Sequence, residues 1–137
     1  MDALAAARRW AEAWKTGWEA LDPDRVLGLY APDAVHFTEP FRAPARGASE
    51  VRAYVERVFG EEEDPRVWVA EPIVNRERAA IGWWASLRED GADITLAGVS
   101  VIRFDPMGRV VEQWDAWNQA GQRREPPVDS PFRHHDT

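Results

Sequence analysis

Near the end of the chain, Val111, Gln113, Asp115 and Trp117 alternate with Val110, Glu112, Trp114 and Ala116, as the two faces of one strand do. If the first set faces inward, Asp115 loses hydration beside Val111 and Trp117, which favours a proton-accepting role. The alternation alone does not choose the face, and a structural aspartate hydrogen-bonded across the sheet also fits it. Glu39 is the second candidate. It shares a face with Val35 and Phe37 on an earlier strand, so it points inward if they do, unless Pro40 turns it to solvent. His36 falls on the opposite face, where a lone histidine is more often surface or interface; brought beside an aspartate, it would ease proton transfer near neutral pH. Ser100 lies on an apolar face with Ile94, Leu96, Ile102 and Phe104 and so reads as interior. Glu71, just before Pro72, is a weaker third carboxylate.

The elements that must position these groups follow from periodicity. Ala3, Ala7, Trp10, Trp14, Gly17 and Leu21 form one stripe of a first helix. Asp22-Pro23 reads as an N-cap followed by proline at the first helical position. A second short helix then buries Val26, Leu29 and Tyr30 and ends at Ala31-Pro32. Residues 34–39 alternate as a strand, a Pro/Gly loop follows, and Val51, Tyr54, Val55, Val58 and Phe59 predict a third helix. The acidic run Glu61-Glu62-Glu63-Asp64 with Pro65 reads as a solvated connection. Segments 66–74, 78–89, 92–105 and 109–118 read as strands, with Asp90-Gly91 as a hairpin turn. Residues 119–137 read as a polar tail that packs loosely, leaving 1–118 as the domain. Helices followed by a meander imply an α+β fold with the helices across one sheet face.

The 137 residues suit one domain. No run reaches the roughly 18 apolar residues of a membrane span, and no secretory leader is visible, so a cytoplasmic protein is expected with no membrane partner. The chain has no cysteine, which excludes disulfides, thiolate nucleophiles and cysteine zinc sites. His134 and His135 lack spaced partners, so no metal site is expected. The net charge of −7, with arginines spread along the chain, argues against nucleic-acid binding. Eight tryptophans are the unusual feature; each reads as core or interface packing, or as the wall of a pocket for an apolar or aromatic ligand. Trp83 and Trp84 face opposite ways, so only one can line such a pocket. Tyr30 and Tyr54 read first as helix core, with hydroxyls able to act as donors.

Leu29-Tyr30-Ala31-Pro32-Asp33-Ala34-Val35, the Glu39-Pro40 step, Gly47, Arg103-Phe104-Asp105 and Gly108 through Asp115 together resemble the SnoaL-like, nuclear-transport-factor-2-like proteins over about residues 2–118. The resemblance implies a cone: three N-terminal helices packed on a strongly curved, mainly antiparallel sheet enclosing a pocket, commonly in a homodimer through the outer sheet face. It also implies that Asp115 lies in the pocket, as the matching acid/base aspartate of polyketide cyclases does. Glu39-Pro40 resembles the base-bearing Asp-Pro step of ketosteroid isomerases, one residue displaced. Trp14 stands where that family has an oxyanion tyrosine and Ser100 where it has a protonated aspartate, so steroid isomerisation is doubtful. The epoxide-hydrolase pair of Arg and Asp two apart finds only Arg88 and Asp90, at a hairpin turn.

Two functions follow. One is a cofactor-independent acid/base enzyme (isomerase, cyclase or dehydratase) acting on a small apolar carbonyl or hydroxylated substrate, with Asp115 or Glu39 as base. Trp14, Tyr30, His36, Phe37, Tyr54, Trp83 or Trp84, Ser100, Gln113 and Trp117 would then contact substrate. The other is a non-catalytic hydrophobic-ligand-binding or dimeric assembly module on the same fold, which the missing tyrosine and aspartate favour.

Overall fold

Asp2 caps the first helix by accepting from the Ala5 N–H at 2.8 Å, and α1 runs Ala3–Ala20 until Leu21 turns left-handed (φ 52°). Asp22 caps α2 (Pro23–Leu27), with the proline in its first turn. Strand β1 (Tyr30–Phe37) and the two-residue β2 (Ala45–Arg46) precede α3 (Gly47–Gly60). The remaining strands are β3 (Glu62–Val69), β4 (Ile73–Asn75), β5 (Arg78–Glu89), β6 (Ala92–Phe104) and β7 (Val110–Gly121). The computed structural model describes residues 1–133, so His134 and His135 lie outside the described residues. Among these residues, no helix is long and apolar enough to cross a membrane.

The chain is α+β. Its mixed sheet is open, in the order β2-β1-β7-β6-β5-β3, with β4 paired to β5. β1 runs parallel to β7, while the β5–β6–β7 meander is antiparallel. Asp90 and Gly91 both take positive φ at the β5–β6 turn, as the Asp-Gly pair predicts. Helix α1 lies against β3 and β5, and its buried Trp10 and Trp18 join Ile81, Leu87 and Ile102 in one core. Edge strand β3 is also held through its backbone: Lys15 donates to the Val67 carbonyl at 2.6 Å and Glu19 accepts from the Val67 N–H at 2.9 Å. Those two groups of an edge residue therefore have partners that no strand supplies.

Several elements differ from expectation. Tyr30 begins β1 instead of ending α2, because its segment finds a partner in Val110 of β7. The acidic run is not a solvated connection: β3 starts at Glu62, which is buried. β7 continues to Gly121, past the boundary at 118, and the segment after it packs on the outer face. There Trp84 donates to the Arg124 carbonyl, the Phe132 ring lies tilted against Trp84 with centroids 5.8 Å apart, and Pro126 is fully buried. Glu71 is a surface residue paired with Arg8.

Gly98 is fixed by a close approach between β6 and β7. A Cβ there would collide with the Ala116 carbonyl oxygen and stand 2.6 Å from Trp117 Cβ, both on a neighbouring strand that cannot swing aside. Gly98→Ala is therefore expected to cost about 3 kcal/mol by overpacking, measured by urea denaturation. A loss within about 0.5 kcal/mol, the range of an ordinary surface change, would show that β6 and β7 do not pack this tightly.

Candidate functional site

Three adjacent strands bring four polar side chains together. In register, His36 of β1 faces Gln113 of β7, and Ser100 of β6 faces Asp115 of β7. All four are buried. Asp115 Oδ1 accepts from the Ser100 hydroxyl at 2.6 Å and from Gln113 Nε2 at 3.0 Å, and its Oδ2 lies 2.7 Å from His36 Nε2. Behind these donors stand the tryptophans. Trp83 Nε1 donates to Ser100 Oγ at 3.0 Å, and Trp10 Nε1 to Gln113 Oε1 at 3.0 Å. Tyr30 donates its hydroxyl proton to the same Gln113 oxygen and accepts from Trp14 Nε1 at 3.2 Å.

Indole N–H is a donor only, so Trp10 fixes the Gln113 oxygen on its own side and turns the amide nitrogen toward Asp115. His36 Nε2 also lies 3.1 Å from that amide nitrogen. One ring nitrogen cannot donate and accept at once, and an ionised carboxylate needs the donor. Nε2 therefore carries hydrogen, and Nδ1, which has no partner among the described residues, keeps its lone pair.

This cluster borders a cavity of about 260 Å³ between the sheet, α1 and α3. Its aromatic wall is continuous, with Trp14 6.0 Å from Trp10, 6.2 Å from Trp18 and 6.1 Å from Phe59, and Trp18 5.7 Å from Trp83. Tyr54 of α3 also lines it, edge-on to His36. Burial, then the Asp115 charge, pushes the Tyr54 phenol above its ordinary value; Tyr30 is raised in the same way. Both remain neutral donors. A second carboxyl reaches the cavity from β3, which β6 and β5 separate from β7 in the sheet. Glu62 accepts from Trp18 Nε1 at 2.6 Å, and burial pushes its carboxyl up to about 7. The Trp18 hydrogen bond opposes that rise, while Glu89 and Glu61 add to it.

A family model for the SnoaL-like domain matches residues 7–113. The chain belongs to that family. The SnoaL-like domain also superimposes, with a TM-score of 0.75, on a solved structure described as the epoxide hydrolase/cyclase-like enzyme SalBIII, with a role in pyran ring formation in the polyether salinomycin. That match covers 85% of this chain and 95% of the other at 12% identity, a likeness of fold. No curated protein matches the chain.

Of the residues singled out by sequence, Asp115, His36, Ser100, Gln113, Trp14, Tyr54, Trp83 and Trp117 line the cavity of this SnoaL-like domain. Tyr30 stands behind it, through Gln113. Glu39 lines it too, but half-buried and held by Arg42 at 3.3 Å. Phe37 and Trp84 do not line it. At the end of β1 Ala34 and His36 are buried, as is Thr38 just after it, whereas Val35 and Phe37 are only partly so; His36 therefore goes inward and Phe37 to the other face. A bulge in the β6–β7 pairing likewise buries Val110 and turns Val111 away from the Gln113 and Asp115 face. Arg88 pairs with Asp93 at the hairpin, and neither Arg88 nor Asp90 lines the cavity. Among the described residues, no group of three or more His, Asp or Glu is placed to hold a metal ion.

Sequence reasoning missed Glu62, Trp10 and Trp18. Counting back by two from Val67 reaches Glu63; an irregularity between Glu63 and Arg66, with Asp64 at φ 52°, carries Glu62 inward instead. Because the folded-state value lies above the unfolded one, the native protein holds a proton through the window from about 4.5 to 7 that the unfolded chain releases. Stability should therefore fall as pH rises through that window, by up to about 3 kcal/mol, relative to Glu62→Gln. Parallel denaturation curves of the two proteins from pH 4.5 to 8 would contradict this.

Proposed function

We propose that this SnoaL-like domain is a cofactor-independent acid/base catalyst for a small, largely apolar substrate bearing a carbonyl or hydroxyl group, bound in the 260 Å³ cavity. The observation that carries the reading is the His36–Asp115 pair at 2.7 Å, buried yet bordering a space walled by aromatic rings. Asp115 takes a proton from a C–H or O–H of the substrate. The electron pair left behind moves onto the substrate oxygen, where a neutral Tyr54 hydroxyl is the available donor. His36 stabilises the pair, and the proton returns to another substrate atom, which yields isomerisation, cyclisation or, with loss of hydroxide as water, dehydration. No oxidant or reductant is needed. The cyclase-like fold relative supports this reaction class.

A second reading keeps the pocket and drops the turnover. It is favoured by the way Ser100, Gln113 and His36 already satisfy Asp115, as in a purely structural network. A homodimer through the outer sheet face fits either reading, with Trp114 and Val99 exposed there.

Proton transfer can be watched without knowing the natural substrate. A panel of small cyclic ketones is incubated with the protein in D2O, and α-proton exchange is followed by NMR. At least one ketone should exchange faster with wild type, and Asp115→Asn should slow that exchange by about 100-fold, the usual worth of a general base. Ketones that bind with no exchange above the buffer rate would point to the non-catalytic reading.

A further inference from the structure

The Asp115 cluster leaves one feature of the cavity unused: an acidic corner in which a buried carboxyl, Glu62, has no ion-pair partner among the described residues. Glu62 is 5% exposed, lines the cavity and makes one hydrogen bond among the described residues, from Trp18 to its Oε1. Its other oxygen has no partner there. Glu89 faces it directly across the β3–β5 pairing, and Glu61 precedes it; both also line the cavity. Like charges opposite one another on a sheet repel.

The cations nearby are engaged elsewhere. Two arginines line the same cavity at other places: Arg57 of α3 lies over the Tyr54 ring at 5.7 Å, and Arg42 pairs with Glu39; neither pairs with Glu62. Lys15 of α1 is taken by Glu19 and the Val67 carbonyl, and Arg88 of β5 by Asp93. Three things can neutralise such a corner: a proton, a metal ion or an organic cation. No metal-holding group exists among the described residues. The wall beside Glu62 is aromatic: Trp18 gives its N–H to one carboxyl oxygen and packs edge-on to Trp83 and Trp14, which leaves the other oxygen to accept from a donor on a ligand.

We propose that the cavity takes a ligand bearing a protonated amine, whose ammonium group sits against the free oxygen of Glu62 while its apolar body fills the aromatic-walled space toward Asp115. The inference rests on the cavity being a ligand site, and it names the charge of the ligand. Ammonium and carboxylate would form a charge-assisted hydrogen bond in a dry, aromatic setting, where such a contact is stronger than at a surface.

The test uses the full chain and two probes of nearly equal shape, 2-phenylethylamine and 2-phenylethanol, titrated at pH 8 with tryptophan fluorescence as readout. The amine should bind about tenfold or more tightly than the alcohol. Glu62→Gln, with its fold checked by circular dichroism, should bring the ratio close to one. In wild type, lowering the pH to 5.5 protonates Glu62 and not the amine, and should shrink the ratio as well; this arm stands even if the variant does not fold. Equal affinities in wild type would overturn the proposal and favour a proton as the corner's partner. A preference that persists in Glu62→Gln would overturn it by placing the cation elsewhere. Failure of both probes to bind would overturn it together with the ligand-site reading.

Discussion

A carboxylate inside a protein is tolerated only where donors replace the water it has lost. Asp115 meets that condition with Ser100, Gln113 and His36, each from a neighbouring position on β1, β6 or β7. The requirement reaches outward. Ser100 and Gln113 can aim their hydrogens at Asp115 because Trp83 and Trp10 occupy their acceptor sides, and Tyr30 adds a second donor to Gln113. The first helix and four strands are thus oriented by one charge. The tryptophans are more than filler in this arrangement; each of these indoles contributes apolar area to the cavity wall and one directional N–H to the network.

The cavity's two buried carboxyls have different surroundings. Asp115 has three hydrogen-bond partners, Ser100, Gln113 and His36. Glu62 has a single indole N–H set against burial and two neighbouring glutamates, and its carboxyl is raised to about 7.

The fold was legible because its signals are local. The Trp10–Trp14 spacing, the Asp22-Pro23 start and the Asp90-Gly91 turn each report on a few adjacent residues, and the structure has helix, helix start and hairpin at those places. That Gln113 and Asp115 share one face also follows simple alternation. What alternation could not supply was its own phase. Val35 and Phe37 are more apolar than Ala34 and His36 and so suggest the inner face of β1, yet the interior here is a polar site and the buried residues are Ala34 and His36. Glu62 was lost to a bulge, which shifts register by an amount no composition records. The low apolar content of the polar tail suggests loose packing; Pro126 and Phe132 pack it down, and hydrogen bonds from Arg123, Arg124 and Trp84 add to the hold.

The central claim is that His36 gives its Nε2 hydrogen to an ionised Asp115 and keeps Nδ1 unprotonated. Nitrogen-15 NMR of histidine-labelled protein near pH 8 reads this directly. His36 should show a protonated, hydrogen-bonded Nε2 and a bare Nδ1, and Asp115→Asn should alter the Nε2 resonance most. A bare Nε2 with the hydrogen on Nδ1 would mean that Asp115 holds the proton itself, and the charge around which the site is arranged would be absent.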